Sequence, residues 1–95
     1  MKKIEVNGNE YELIVNYKNG FDADEFNICY TEFFEDYDFI VGDIAYGKLR
    51  LKGFYASDNN KVKRINNYDY LDEYIRDYCA IDCKYYVLKK IKSDG

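Results

Sequence analysis

The sequence predicts one small α+β domain over residues 1–95, in which a mainly antiparallel sheet of five or six strands carries two helices packed on one face. Two observations predict this fold class. Several short segments alternate between apolar and polar residues, which is the period of a half-buried strand. Two longer segments repeat apolar residues every three or four positions, which is the period of an amphipathic helix. Residues 1–18 should form an N-terminal hairpin, and residues 93–95 a frayed tail.

Strands are predicted wherever the alternation is regular. Asn7-Gly8 lies between two alternating runs and predicts a tight hairpin turn. From Gly47 to Phe54 cations alternate with leucines, so this strand should have one buried and one wet face. Gly42-Asp43 is a turn signal that should end the apolar run before it. The predicted strands are Lys3–Val6, Glu10–Tyr17, Phe39–Val41, Gly47–Phe54, a short edge strand over Lys61–Ile65, and Lys84–Lys92.

Two helices are predicted from apolar stripes at helical spacing. The first should run from Asp22 to about Asp36, because Asp22 and Glu25 have the spacing of a capping box. The second should be capped by Asn66 or Asn67 and run to about Cys79. The predicted core consists of Leu13, Val15, Phe26, Tyr30, Phe33, Ile40, Leu49, Leu51, Leu71, Ile75 and Val87.

Composition excludes several classes of function. The chain has no His, so no imidazole can act as a general base or metal ligand. It has no apolar run near 18 residues, and Met1-Lys2-Lys3 leads directly into a strand pattern, so we expect neither a membrane span nor a signal peptide. Three cysteines, an odd number, favour free thiols in a reducing compartment over a disulfide framework. We therefore expect a cytoplasmic protein with no membrane partner and no cofactor.

Charge is segregated along the chain. Residues 21–45 hold eight acids and no base, whereas residues 46–66 hold six bases and one acid. With both helices on one face, the domain should have an acidic helical side and a basic sheet side. Cations interleaved with aromatic rings suit phosphate contacts and base stacking, which predicts a face for RNA or a ribonucleoprotein. The residues predicted to bind nucleic acid are Lys48, Arg50, Lys52, Tyr46, Tyr55 and Tyr86.

Other interpretations compete with RNA binding. A lysine-rich strand face can simply be a solvated surface. The runner-up function is a protein-interaction adaptor that uses a sheet edge or the acidic helical side, whose residues are Asp24, Glu32, Asp72, Glu73 and Asp77. Catalysis is the least favoured class, because the carboxylates Asp38 and Asp43 have no accompanying nucleophile or phosphate loop. Asp43 beside Gly42 is more simply a turn residue.

The thiols offer a third hypothesis. Cys79 and Cys83 form a C-x3-C pair, whereas metal and redox motifs more often have two residues between the cysteines. Cys29 and Asp82 could complete a metal site, but free cysteines usually pack as small buried hydrophobes. We therefore predict no metal, and Cys79 and Cys83 are thiols to test.

The central hairpin also carries a resemblance. Val41 to Phe54 reads Val-Gly-Asp-x-x-Tyr-Gly-x-Leu-Arg-Leu-Lys-Gly-Phe, and from about Asn19 to Lys92 the chain resembles the YutD-like family. The resemblance implies a family core over residues 19–92 in a small cytoplasmic protein of a Gram-positive bacterium. It brings no activity, cofactor or catalytic residue, and it directs attention to the hairpin and the C-x3-C. The motif residues are Gly42, Asp43, Tyr46, Gly47, Leu49, Arg50, Leu51, Lys52, Gly53 and Phe54.

Overall fold

A computed structural model describes residues 2–45, 47–78 and 83–91. Five strands form one sheet in the order β1-β2-β5-β3-β4, and every pair within it is antiparallel. The predicted α+β class, with a five-stranded antiparallel sheet and two helices, is confirmed. None of the helices in the described ranges is long and apolar enough to cross a membrane. The elements are β1 Lys2–Val6, β2 Asn9–Tyr17, α1 Ala23–Cys29, β3 Phe39–Ala45, β4 Lys48–Phe54, α2 Leu71–Tyr78 and β5 Lys84–Ile91.

The two hairpins differ in how well the sequence predicted them. Asn7 and Gly8 both have positive φ, 50° and 79°, as the central residues of a type I′ turn require, so the first hairpin is confirmed. The prediction that Gly42-Asp43 ends a strand is wrong. β3 continues through both residues to Ala45, and Asp43 lies opposite Arg50 of β4. The cross-strand charge pair favours continued pairing at a position where composition alone suggests a turn.

The first predicted helix is divided into two shorter elements. Asp22 caps α1 as predicted, since its Oδ1 accepts a hydrogen bond from the Glu25 amide at 3.1 Å. The chain then becomes extended at Tyr30, and Glu32–Asp36 forms a 3-10 helix. The prediction of a helix to Asp36 is therefore wrong. An uninterrupted helix would place the acids of residues 32–36 at its negative C-terminal end, whereas the break lets them begin a new element.

The segment between β4 and α2 also differs from its prediction. Lys61–Ile65 is not a strand, and Arg64–Asn66 forms a 3-10 turn. Asn67 then accepts a hydrogen bond from the Asp69 amide at 2.9 Å and caps the 3-10 turn Tyr68–Tyr70, which leads directly into α2. The cap at Asn67 was predicted, but the end predicted at Cys79 lies outside the described residues.

The helices lie on opposite faces of the sheet, so the prediction that both pack on one face is wrong. Successive strand residues point to opposite faces. Ile40 belongs to a buried cluster with Phe26 of α1, whereas its neighbour Val41 belongs to a second cluster against which Ile75 of α2 packs. We call these the α1 face and the α2 face. Lys52 is the cross-strand partner of Val41 and therefore lies on the α2 face. The cations at positions 48 and 50 are four and two residues earlier in the same strand, so they lie on the α2 face as well.

The core is therefore two layers, one on each side of the sheet. On the α1 face the buried residues are Ile4, Val6, Tyr11, Phe26, Tyr30, Phe34, Ile40, Tyr86 and Leu88. On the α2 face they are Val41, Phe54 and Val87, with Val15, Leu71 and Ile75 packed against them. Leu13, Leu49 and Leu51 are half-buried at the α1 face. Of the eleven predicted core residues only Phe33 is exposed, at 66%.

Candidate functional site

The predicted basic face exists, but α2 covers part of it. Lys48, Arg50 and Lys52 do share one face of β4, and Lys48 is exposed. Lys52 is half-buried, and its Nζ lies 5.3 Å from the ring centroid of Phe54 and 5.7 Å from that of Tyr74 on α2. A cation at this distance from a ring is stabilised by the ring's electrons, and its alkyl stem covers apolar surface. Lys52 is thus part of the packing between β4 and α2.

Arg50 is engaged by a buried carboxylate. Its Nη2 lies 2.5 Å from Oδ2 of Asp43, which is 1% exposed, while the Arg50 side chain is 48% exposed. The other oxygen of Asp43, Oδ1, is buried and accepts no hydrogen bond from the described residues. Asp43 therefore depends on Arg50 for compensation of its charge. The interpretation of Asp43 as a turn residue is wrong, and Arg50 contributes little net charge to the basic face.

Two of the tyrosines predicted to stack on bases are buried on the other side of the sheet. Tyr86 is 0% exposed, and its ring lies against Gly42 on the α1 face, where burial raises the pKa of its phenol. Its hydroxyl oxygen has no hydrogen-bond partner among the described residues. Neither ring nor hydroxyl is accessible to a base placed over Lys48. Using Tyr86 as a stacking partner is therefore a wrong prediction, and Tyr46 lies outside the described residues.

Tyr55 is held by its neighbours on the α1 face. It is 7% exposed, its ring stacks on Tyr37 with centroids 4.6 Å apart, and its hydroxyl donates to Oδ2 of Asp36 at 2.9 Å. Burial and this hydrogen bond raise the pKa of Tyr55 to about 12. Lys61 donates to the same carboxylate at 2.7 Å, and the hydrogen bonds from Lys61 and Tyr55 lower the pKa of Asp36. Tyr55 is a packing residue, so its predicted role in stacking on a base is also wrong.

The acidic side predicted for an adaptor is not one surface. Asp24 and Glu32 precede β3 and belong to α1 and the following 3-10 helix, whereas the remaining acids lie on α2 across the sheet. Glu73 is paired with Arg64 at 3.0 Å, and Asp77 with Arg76 at 3.4 Å. The remaining member of the predicted set, Asp72, is exposed on the same helix. Because the helices are on opposite faces, the acids cannot form the single acidic side that sequence suggested.

The cysteines behave differently from one another. Cys29 is a free, half-buried thiol on α1. Cys83 is disulfide-bonded, so the expectation of a free thiol at this position is wrong. An odd number of cysteines leaves one thiol over but does not prevent a bridge. Cys79 and Asp82 lie outside the described residues, and in the described ranges no three Cys, Asp or Glu side chains are grouped to hold a metal ion.

The outer edge of β4 is the feature that sequence analysis did not locate. In the described part of the chain β4 is hydrogen-bonded to β3 and has no strand on its other side. Just beyond its end, the Tyr55 amide donates to the Asn66 carbonyl at 2.7 Å, and the Tyr68 amide donates to the Tyr55 carbonyl at 2.9 Å. Among the described residues, the chain therefore pairs with the outer side at Tyr55, and no described strand lies along the outer side of β4, which we call its open edge.

Two grooves flank this edge. One, of about 290 Å³, lies beside Leu51 and Gly53 and is lined by Phe33, Tyr37 and Ile65. The other, of about 510 Å³, lies between β4 and α2. Phe33 is 66% exposed, and Ile65, which lines both grooves, is 73% exposed. We call the open edge of β4 together with Phe33 and Ile65 the β4 edge surface.

The chain is similar to known proteins over most of its length. Residues 5–89 match the model of a family described as "Putative antitoxin YutD-like". A protein of Bacillus subtilis (strain 168) named "Putative antitoxin YutD" is 46% identical over 83 residues, which cover 87% of this chain and 91% of that protein. The solution NMR structure of protein yutD from B. subtilis is 42% identical and superposes with a TM-score of 0.82, covering 98% of this chain and 84% of that chain.

Proposed function

The chain belongs to the YutD-like family, and on that premise we propose that it is a non-catalytic binding module whose partner is a protein held at the β4 edge surface. One observation carries the proposal: two large apolar side chains, Phe33 and Ile65, are mostly exposed and line one groove beside the open edge of β4. Exposed apolar groups beside a groove are typical of protein-interaction sites. An open strand edge offers backbone donors and acceptors to a partner.

The names of the relatives are consistent with a binding function. The B. subtilis relative is named "Putative antitoxin YutD", and one way for an antitoxin to act is to bind its toxin and so neutralise it. Such a function requires an interaction surface and no catalytic group. The chain has no His, and the buried carboxylate of Asp43 forms an ion pair with Arg50 in the sheet. The runner-up prediction of a protein adaptor is thus retained, with the sheet edge in place of the acidic helical side.

RNA or a ribonucleoprotein is the second candidate partner, supported by the common face of Lys48, Arg50 and Lys52. We rank it second because Arg50 is paired with Asp43 and Lys52 lies over two aromatic rings. The test is a titration of labelled single-stranded RNA at two salt concentrations. Binding through phosphates would give a slope of log affinity against log salt of about −0.7 per contact, reduced by about one contact in Lys48→Glu.

The protein-partner proposal is tested by quantitative affinity capture from nuclease-treated lysate of the source organism. The wild-type chain is compared with a Phe33→Ser/Ile65→Ser variant and with Ile28→Ser, in which the changed residue is 83% exposed on α1. We expect a protein that wild type and Ile28→Ser recover equally and that the double variant loses. Because all three residues are exposed, thermal melting should show that each variant is folded. Equal recovery by the double variant would overturn the proposal.

A further inference from the structure

At every second residue, the backbone of β4 directs its hydrogen-bonding groups to the outer side, where no strand of the described residues pairs with them. The register between β3 and β4 is unbroken from Ala45↔Lys48 to Phe39↔Phe54, so no bulge interrupts the alternation of the strand. Tyr55 directs its N–H and C=O to the outer side, as its bonds to Asn66 and Tyr68 show. Residues two, four and six positions earlier therefore point their backbone groups the same way. These residues are Gly53, Leu51 and Leu49.

The side chains of β4 divide by charge between the two faces. On the α2 face, Lys48 is exposed and Lys52 is half-buried, with the Arg50–Asp43 pair between them. On the α1 face, Leu49 and Leu51 are half-buried, and Leu51 lies in the same groove as exposed Phe33. A strand added beside β4 would have the same alternation. Its side chains on the α2 face would meet cations, and those on the α1 face would meet apolar groups.

The same charges disfavour a second copy of the chain as the occupant. An antiparallel pair of β4 edges related by a two-fold axis would match the outward-facing residues of one copy with those of the other. The lysines at positions 48 and 52 would then lie on the same face as the same lysines of the partner. Like charges directly opposite one another destabilise a sheet, and charged edges oppose self-association.

From this geometry we infer that the partner, on the premise of the proposed function, contributes an extended segment that adds to β4 as a sixth strand. The segment alternates acidic and apolar residues. Its acids lie over Lys48 and Lys52, its apolar side chains lie over Leu49 and Leu51, and its backbone pairs with the outward groups of β4. Main-chain hydrogen bonds provide the binding, and the charge of alternate side chains provides the choice of partner.

A seven-residue peptide of alternating glutamate and valine, blocked at both ends, is the probe that tests this inference. Added to the ¹⁵N-labelled chain, it should slow amide hydrogen exchange at Leu49, Leu51 and Gly53. A peptide with lysine in place of each glutamate should have little effect. The exposed Lys48→Glu variant should bind the glutamate peptide up to about fivefold more weakly and the lysine peptide more tightly, in the range measured for cross-strand charge pairs.

Backbone pairing is tested with N-methylated versions of the glutamate peptide. If the segment adds antiparallel to β4, methylation of the valine amides should abolish the slowing of hydrogen exchange. If the segment adds parallel, methylation of the glutamate amides should abolish it. A peptide set in which both versions bind equally would overturn strand addition. So would unchanged exchange with saturating peptide, or protection that rises with chain concentration alone, which would identify a second copy. If the peptide results overturn strand addition but the Phe33→Ser/Ile65→Ser variant still loses a protein partner in the affinity capture, the proposed function stands.

Discussion

The Arg50→Ala variant tests whether Arg50 is a structural residue. In the structure its guanidinium is the partner of Asp43 Oδ2, and the other carboxylate oxygen has no hydrogen bond from the described residues. Removing the guanidinium leaves a 1% exposed carboxylate with neither charge compensation nor that hydrogen bond. The alternation in the sequence instead placed Arg50 on the wet face of its strand, where its removal would cost little stability.

The magnitude follows from the burial of the two partners. Breaking a buried ion pair by removing one member costs about 3–5 kcal/mol of unfolding free energy. Because the Arg50 side chain is 48% exposed, water can replace part of its interaction with Asp43 in the variant. We therefore expect a loss of about 3 kcal/mol of unfolding free energy. In a domain of this size, that loss lowers the melting temperature by about 12–24 °C.

Urea denaturation followed by circular dichroism measures the effect of Arg50→Ala on stability. The matched control is Lys48→Ala, which removes an exposed cation from the same face of the same strand and should change stability by less than about 0.5 kcal/mol. An Asp43→Ala/Arg50→Ala variant should be more stable than Arg50→Ala alone, since no buried charge remains. If Arg50→Ala is no less stable than Lys48→Ala, the structural role of the ion pair is refuted.

Two further predictions concern the α1 face. Gly42→Ala should destabilise the chain by about 1–3 kcal/mol, because the new Cβ would lie 2.3 Å from the fully buried Tyr86 ring, and the effect should shrink in a Tyr86→Ala background. A thermal melt unchanged from wild type would contradict this contact. The pKa of Tyr55 is raised to about 12, so its contribution to stability is full below about pH 10, its ordinary pKa, and is lost as the pH rises towards 12. Ultraviolet titration of tyrosinate in wild type and Tyr55→Phe checks this. If the phenol missing from the variant is one that titrates near pH 10 in wild type, the result counts against the Asp36 hydrogen bond.

Local signals predicted most of the elements. Asn7-Gly8 specified its turn and Asp22 its helix cap, because both depend on residues close in sequence. The prediction placed α2 on the wrong face of the sheet, although the sequence contains a signal for the correct one. Phe39-Ile40-Val41 and Tyr85-Tyr86-Val87-Leu88 are continuous apolar runs, which are typical of strands buried on both faces. Greater weight on those runs would have predicted a helix on each side of the sheet.

The candidate site depended on information that is not local. The alternation from Lys48 to Phe54 identified a strand but not its position at the sheet edge, which follows from the order of all five strands. The pairing of Arg50 with Asp43 requires the register of the hairpin, and the turn signal at Gly42-Asp43 concealed it. Phe33 is exposed because α1 ends before it. The break in the helix occurs at Tyr30, whose ring packs in the core.

Site-specific photo-crosslinking from position 65 in cells of the source organism tests the central claim most directly. A benzophenone amino acid replaces Ile65, and the same substitution at Ile28 is the control, since both side chains are exposed in the structure. We expect a crosslinked protein that is specific to position 65 and resistant to nuclease. A crosslink to RNA, equal crosslinking from both positions, or no crosslink from position 65 would contradict the claim that the β4 edge surface holds a protein partner.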